Sequence, residues 1–67
     1  MAVVDEWTGA AASALRSALR MTNEEFARAL GTAVRTVAKW NAEPTIVPVA
    51  EMQRALDTLL QRATPEV

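Results

Sequence analysis

Cysteine and histidine are both absent from this 67-residue chain, and together the two absences remove most side-chain chemistry. Without cysteine there is neither a disulfide framework nor a thiolate metal site to reinforce a small fold. Without histidine the commonest general base and the commonest metal ligand are missing. The two glycines, Gly9 and Gly31, stand far apart and form no phosphate-cradling loop. Serine and threonine have no imidazole to activate them, and Glu24 and Glu25, adjacent on a predicted helix, diverge and make no facing acid–base pair. Met21 and Met52 fit core positions rather than ligand positions. The expectation is therefore not an enzyme, with no cofactor and no metal. Apolar residues make up 51% of the chain, but no uninterrupted run approaches the ~18 residues of a membrane span. The N-terminus has no basic segment followed by an apolar one. A soluble, cytoplasmic protein acting through its surface is expected.

What the chain does have is one domain's worth of helix-forming sequence, with little stability in reserve at this length. Its formal charge of -1 hides an asymmetry. From Arg16 to Lys39 five basic residues (Arg16, Arg20, Arg28, Arg35, Lys39) oppose Glu24 and Glu25, about +3, whereas the flanks hold Arg54 and Arg62 against six acids, about -4. Such a distribution orients a molecule on a polyanion, although the long-range attraction is modest without a positive net field.

Periodicity divides the chain into four helices between an N-terminal arm (1–7) and a C-terminal tail (63–67), with the folded domain at 8–62. Thr8 is the predicted cap of helix 1, about 8 to 20, with Ala11, Leu15, Ala18 and Leu19 on one face. Trp7, just before it, is placed to fold over the end of the core. Thr22 and Glu25 form a capping box for helix 2, and Met21 with Phe26 forms a hydrophobic staple. Ala27 and Leu30 continue the buried face, and Gly31 ends the helix in the left-handed conformation that glycine adopts cheaply. Helix 3 runs from about Ala33 to Ala42. Val37 and Trp40 face its core side, and Arg35, Thr36, Ala38 and Lys39 point outward. Pro44 ends it. A linker over 43–47 that contains Pro44 leads to Pro48, read as the first turn of helix 4, whose stripe of Val49, Met52, Ala55 or Leu56, Leu59 and Leu60 runs to about Arg62. Thr64 to Val67 is read as a frayed tail. The fold class is all-α, a compact four-helix domain.

Leu15-Arg16, Met21-Thr22-Asn23-Glu24-Glu25-Phe26-Ala27, Gly31 and Thr36-Val37-Ala38-Lys39-Trp40 resemble, in order and spacing, the lambda-repressor-like helix-turn-helix family. This group includes phage repressor and Cro proteins and bacterial regulators of the xenobiotic-response-element type. The likeness covers roughly residues 13 to 60, and Trp-Thr-Gly before Leu-Arg with the later Met-Gln-Arg-Ala-Leu-Asp is most similar to actinobacterial members. The resemblance implies a DNA-binding transcriptional regulator that places helix 3 in the major groove of operator DNA, often as a homodimer. Carried over position by position, the base-reading residues would be Ala33, Val34, Arg35, Ala38 and Lys39. Phosphate contacts would come from Thr22, Asn23, Thr32, Thr36 and Arg20. The sequence departs from the family's habits at Ala33, where a helix-capping Ser or Thr is common. It departs again at Asn41, where a glutamate often pairs with the arginine at position 16, and at Glu43 in place of a glycine. The apolar Thr45-Ile46-Val47 linker also replaces a segment that is often basic.

A second reading keeps the scaffold but assigns it a protein partner, with Ile46, Val47 and Val49 as an apolar patch and the last helix as a dimer seam. Four short helices leave little interior room for an inducer, so no small-molecule ligand is expected.

Overall fold

Local signals start and stop the helices of the computed structural model, which describes residues 6–63. In chain order these are α1 (Gly9–Ala18), α2 (Asn23–Leu30), α3 (Val34–Ala42) and α4 (Ala50–Ala63), with no strand among the described residues. The architecture is all-α, as the periodicity predicts. Residues 1–5 of the predicted arm (1–7) and 64–67 of the predicted tail (63–67) lie outside the described residues; of the rest, Trp7 is buried in the core and Ala63 is the last residue of α4.

Thr8 caps α1, its hydroxyl accepting from the Ala11 amide at 3.2 Å. At Thr22 both halves of the capping box form. The Glu25 amide donates to the threonine hydroxyl at 3.1 Å, and the Thr22 amide donates to the Glu25 carboxylate at 2.8 Å. Gly31 closes α2 with φ +76°, and the Thr32 amide reaches back to the Ala27 carbonyl at 2.9 Å. Ala33 begins α3 without a side-chain cap, the consequence of having no hydroxyl there.

Three details differ from the sequence reading. α1 ends at Ala18 rather than residue 20 because Arg20 turns left-handed, at φ 58°. The Arg20 amide bonds the Ser17 carbonyl and the Met21 amide bonds the Arg16 carbonyl, closing the helix end. An L-residue with a Cβ holds this conformation at a cost of about 1–2 kcal/mol. Arg20→Gly is therefore expected to stabilise the domain by about 0.5–1 kcal/mol net of the extra freedom it gives the unfolded chain, a rise of a few degrees in melting temperature. A lower melting temperature would mean that the Arg20 side chain stabilises more than its backbone strain costs. The second difference is Ala18, which is exposed; the buried α1 face is Gly9, Ala12 and Leu15. The third is Pro48, which precedes α4 instead of opening it. Val49 is the capping residue before α4, its carbonyl accepting from the Met52 and Gln53 amides, and its side chain is 68% exposed, off the core stripe.

The core gathers Trp7, Ala12, Leu15, Phe26, Ala27, Leu30, Val37, Trp40 and Leu56, and Leu19, Met21, Ile46, Met52, Ala55, Leu59 and Leu60 pack against it. The radius of gyration, 10.9 Å, is what a compact chain of this length should have, about 11 Å. The return segment after α3 is bound to the start of α1. Gly9 and Ala10 donate their amides to the Ile46 and Pro44 carbonyls at 2.8 and 2.9 Å, giving partners to helix-start amides that have none within the helix. This contact fixes the C-terminal end of α3, and with it the direction of its exposed face.

Candidate nucleic-acid interface

Val37 and Trp40, 1% and 3% exposed, turn one side of α3 into the core, so the opposite side must meet solvent. Val34, Arg35, Ala38 and Lys39 are all exposed, as is Ala33 just before the helix. Arg35 and Lys39, four residues apart, stand one turn from each other on the same side. The small side chains at Ala33 and Ala38 leave the helix narrow between them. Thr36 differs from its predicted outward position: it is half-buried.

Apart from Thr36, the predicted phosphate-contact residues are distributed around this helix rather than on it. Thr22 is exposed, but its hydroxyl is occupied as the cap of α2. Asn23 is half-buried, and its side-chain oxygen accepts from the Asn41 amide at 2.9 Å, leaving its own amide hydrogens as donors. Thr32 is half-buried in the turn between α2 and α3, and Arg20 is exposed in the turn between α1 and α2.

Asn41 also accepts a hydrogen bond from the Ser13 hydroxyl. One amide thus joins α1, the end of α3 and the start of α2. Arg16 donates through Nη1 to the Met21 carbonyl at 2.8 Å, and its Nε is buried with no partner.

The sequence reading missed a groove. Arg35, Thr36 and Lys39 line a cavity of about 260 Å³ between α3 and the segment leading into α4. Trp40 and Pro48, both buried, and the half-buried Ile46 and Met52 form part of its wall. Val47 and Val49, 49% and 68% exposed, complete it. The two cations and the apolar linker, read from sequence as rival surfaces, therefore share one face. The signal that could have revealed this is the alternation of burial from Ile46 to Val49, which follows from an extended segment and is hidden once Pro48 is assigned to a helix.

No family model matches the chain, and no match is found among curated proteins or solved structures. Among the described residues no cluster of side chains could hold a metal ion, and no helix is long and apolar enough to cross a membrane.

Proposed function

We propose that this protein is a sequence-specific DNA-binding transcriptional regulator in which α2, the turn at Gly31 to Ala33 and α3 act as a helix-turn-helix of the lambda-repressor-like type. The observation that supports this most strongly is the outward face of α3: two cations one turn apart, Arg35 and Lys39, flanked by small or apolar Ala33, Val34 and Ala38. A B-DNA major groove about 12 Å wide admits one helix, and small side chains allow its backbone to approach the base edges. The Arg35 guanidinium offers two parallel donors matching O6 and N7 of guanine. Lys39 reaches a second base or a phosphate, and Val34 meets a thymine methyl. The Asn23 amide hydrogens, at the first turn of α2, add a phosphate contact where the helix dipole favours an anion.

Regulation would be by occupancy of the operator in the cytoplasm. A homodimer would read two half-sites about 34–36 Å apart, with no cofactor in the mechanism. Selection from a randomised duplex pool tests the reading. The wild type should enrich a half-site or an inverted repeat, and Arg35→Ala should lose about 1–3 kcal/mol of preference at one base pair, roughly 5- to 150-fold. Affinity should also fall steeply with salt, in proportion to the phosphates neutralised. Absence of any enriched sequence at low salt would overturn the assignment.

A further inference from the structure

We propose that the groove beside α3 is a docking site for an acidic peptide segment of a partner protein, anchored by one bulky apolar side chain. Two features of the groove identify the occupant. Ile46, Val47, Val49 and Met52 present a contiguous apolar surface along the groove, of which Val47 and Val49 remain 49% and 68% exposed, and it is such a patch rather than a single exposed side chain that marks a contact surface. Arg35 and Lys39 stand on the same groove, and none of the described residues lining it is acidic. An occupant must therefore bring an apolar group for the valines and carboxylates for the cations. The volume of about 260 Å³ is below the ~300–1,000 Å³ of clefts that enclose drug-sized ligands. It suits one leucine, phenylalanine or tryptophan side chain, and the exposed valines continue the contact along the peptide on either side. Burying the anchor in a desolvated pocket concentrates the binding energy there, and the carboxylates set orientation and association rate.

The docking site has a regulatory consequence that rests on the proposed DNA reading. Arg35 and Lys39 belong to both surfaces, so peptide and duplex exclude one another, and a partner carrying such a segment releases the protein from its operator.

The test is selection of phage-displayed random dodecapeptides on the folded protein, followed by titration of the enriched peptides as synthetic chains. Enriched sequences should place Asp or Glu next to Leu, Phe or Trp. Their affinity should fall at least about tenfold with Val47→Ser/Val49→Ser, and also with Arg35→Ala/Lys39→Ala. Both valines are exposed, so the serine variant should keep the parent melting curve; if it does not, Val49→Ser alone provides the comparison. No enrichment, enriched peptides lacking carboxylates, or affinities indifferent to the valine changes would each overturn the proposal. Duplex selection run beside it separates the two readings. Peptides captured in the groove by a protein that selects no duplex would refute the DNA reading and leave the docking site standing. A selected duplex with no groove-dependent peptide would do the reverse.

Discussion

Gly9→Ala is expected to destabilise the domain by about 2–4 kcal/mol, although alanine is the better helix former. On helix propensity alone the substitution should stabilise by up to about 1 kcal/mol, since Gly9 is the first residue of α1. Packing reverses the sign. A Cβ at Gly9 would lie 2.6 Å from the Trp40 carbonyl oxygen and 2.6 Å from that of Glu43, with the Ile46 side chain at 3.2 Å. Both oxygens are backbone atoms at the end of α3, so neither can rotate away. Relief requires α1 to separate from the return segment, and that lengthens the Gly9 and Ala10 hydrogen bonds to Ile46 and Pro44. Overpacking costs about 1–3 kcal/mol and each weakened hydrogen bond up to about 1 more. A melting temperature lower by about 10–25 °C should follow. Gly31→Ala is the control, because there the φ of +76° supplies the objection and, beyond the local backbone, no atom lies within 4 Å of the new methyl. Its cost should be the left-handed penalty of about 1–2 kcal/mol. If Gly9→Ala melts at or above the wild type, the close approach of α1 to α3 is wrong. Under the proposed DNA reading, a Gly9→Ala protein that relieves the clash by displacing the end of α3 should bind a selected duplex more weakly while retaining Arg35 and Lys39.

The two glycines mark what can be read from sequence and what cannot. Gly31 acts through its own φ, and the capping box at Thr22 and Glu25 closes within one turn, so a window of a few residues contains their whole explanation. Val37 and Trp40 are similar: their three-residue spacing places them on one side of α3 and sends Arg35 and Lys39 to the other. Gly9 is required by carbonyls more than thirty residues away, which no local window contains. Asn41 becomes a bridge to Ser13 and Asn23 only after three helices have assembled. The groove depends on the path of the linker back along α3, a long-range property, and Pro48 misleads locally because proline suits both the first turn of a helix and the residue before its cap. The left-handed Arg20 escaped for a different reason. Arginine is a good helix former with no preference for that region, so only the geometry of the turn reveals it.

Trp7→Ala should be the most damaging single change, because one residue holds the N-terminal segment to α4 by both packing and hydrogen bonds. The indole is 2% exposed, and its truncation in a core removes about 3–5 kcal/mol. Its Nε1 donates to the Asp57 carboxylate at 2.8 Å. The backbone is held as firmly: the Trp7 amide donates to Gln53 Oε1 at 2.7 Å, and Gln53 Nε2 donates to the Trp7 and Pro48 carbonyls, each at 3.0 Å. Gln53 therefore ties the chain before α1, the return segment and α4 through a single side-chain amide. A chain of this length has a total stability of roughly 3–10 kcal/mol, so the alanine variant should be largely unfolded or melt below about 40 °C, with loss of far-ultraviolet helical signal and of cooperative urea unfolding. Trp7→Phe separates the contributions. It keeps most of the apolar volume and removes the indole N–H, and should cost about 1–2 kcal/mol. Gln53→Ala should cost about 1–3 kcal/mol by leaving part-buried backbone groups without partners. A Trp7→Ala protein that unfolds cooperatively within a few degrees of the wild type would mean that this segment is not part of the core. Because Gln53 also holds Pro48, the residue between the two groove valines, loosening at Trp7 should extend to the groove. In Trp7→Phe the Met52 and Gln53 amides, which donate to the Val49 carbonyl at the groove, should therefore exchange hydrogen faster than in the wild type, relative to amides within α2.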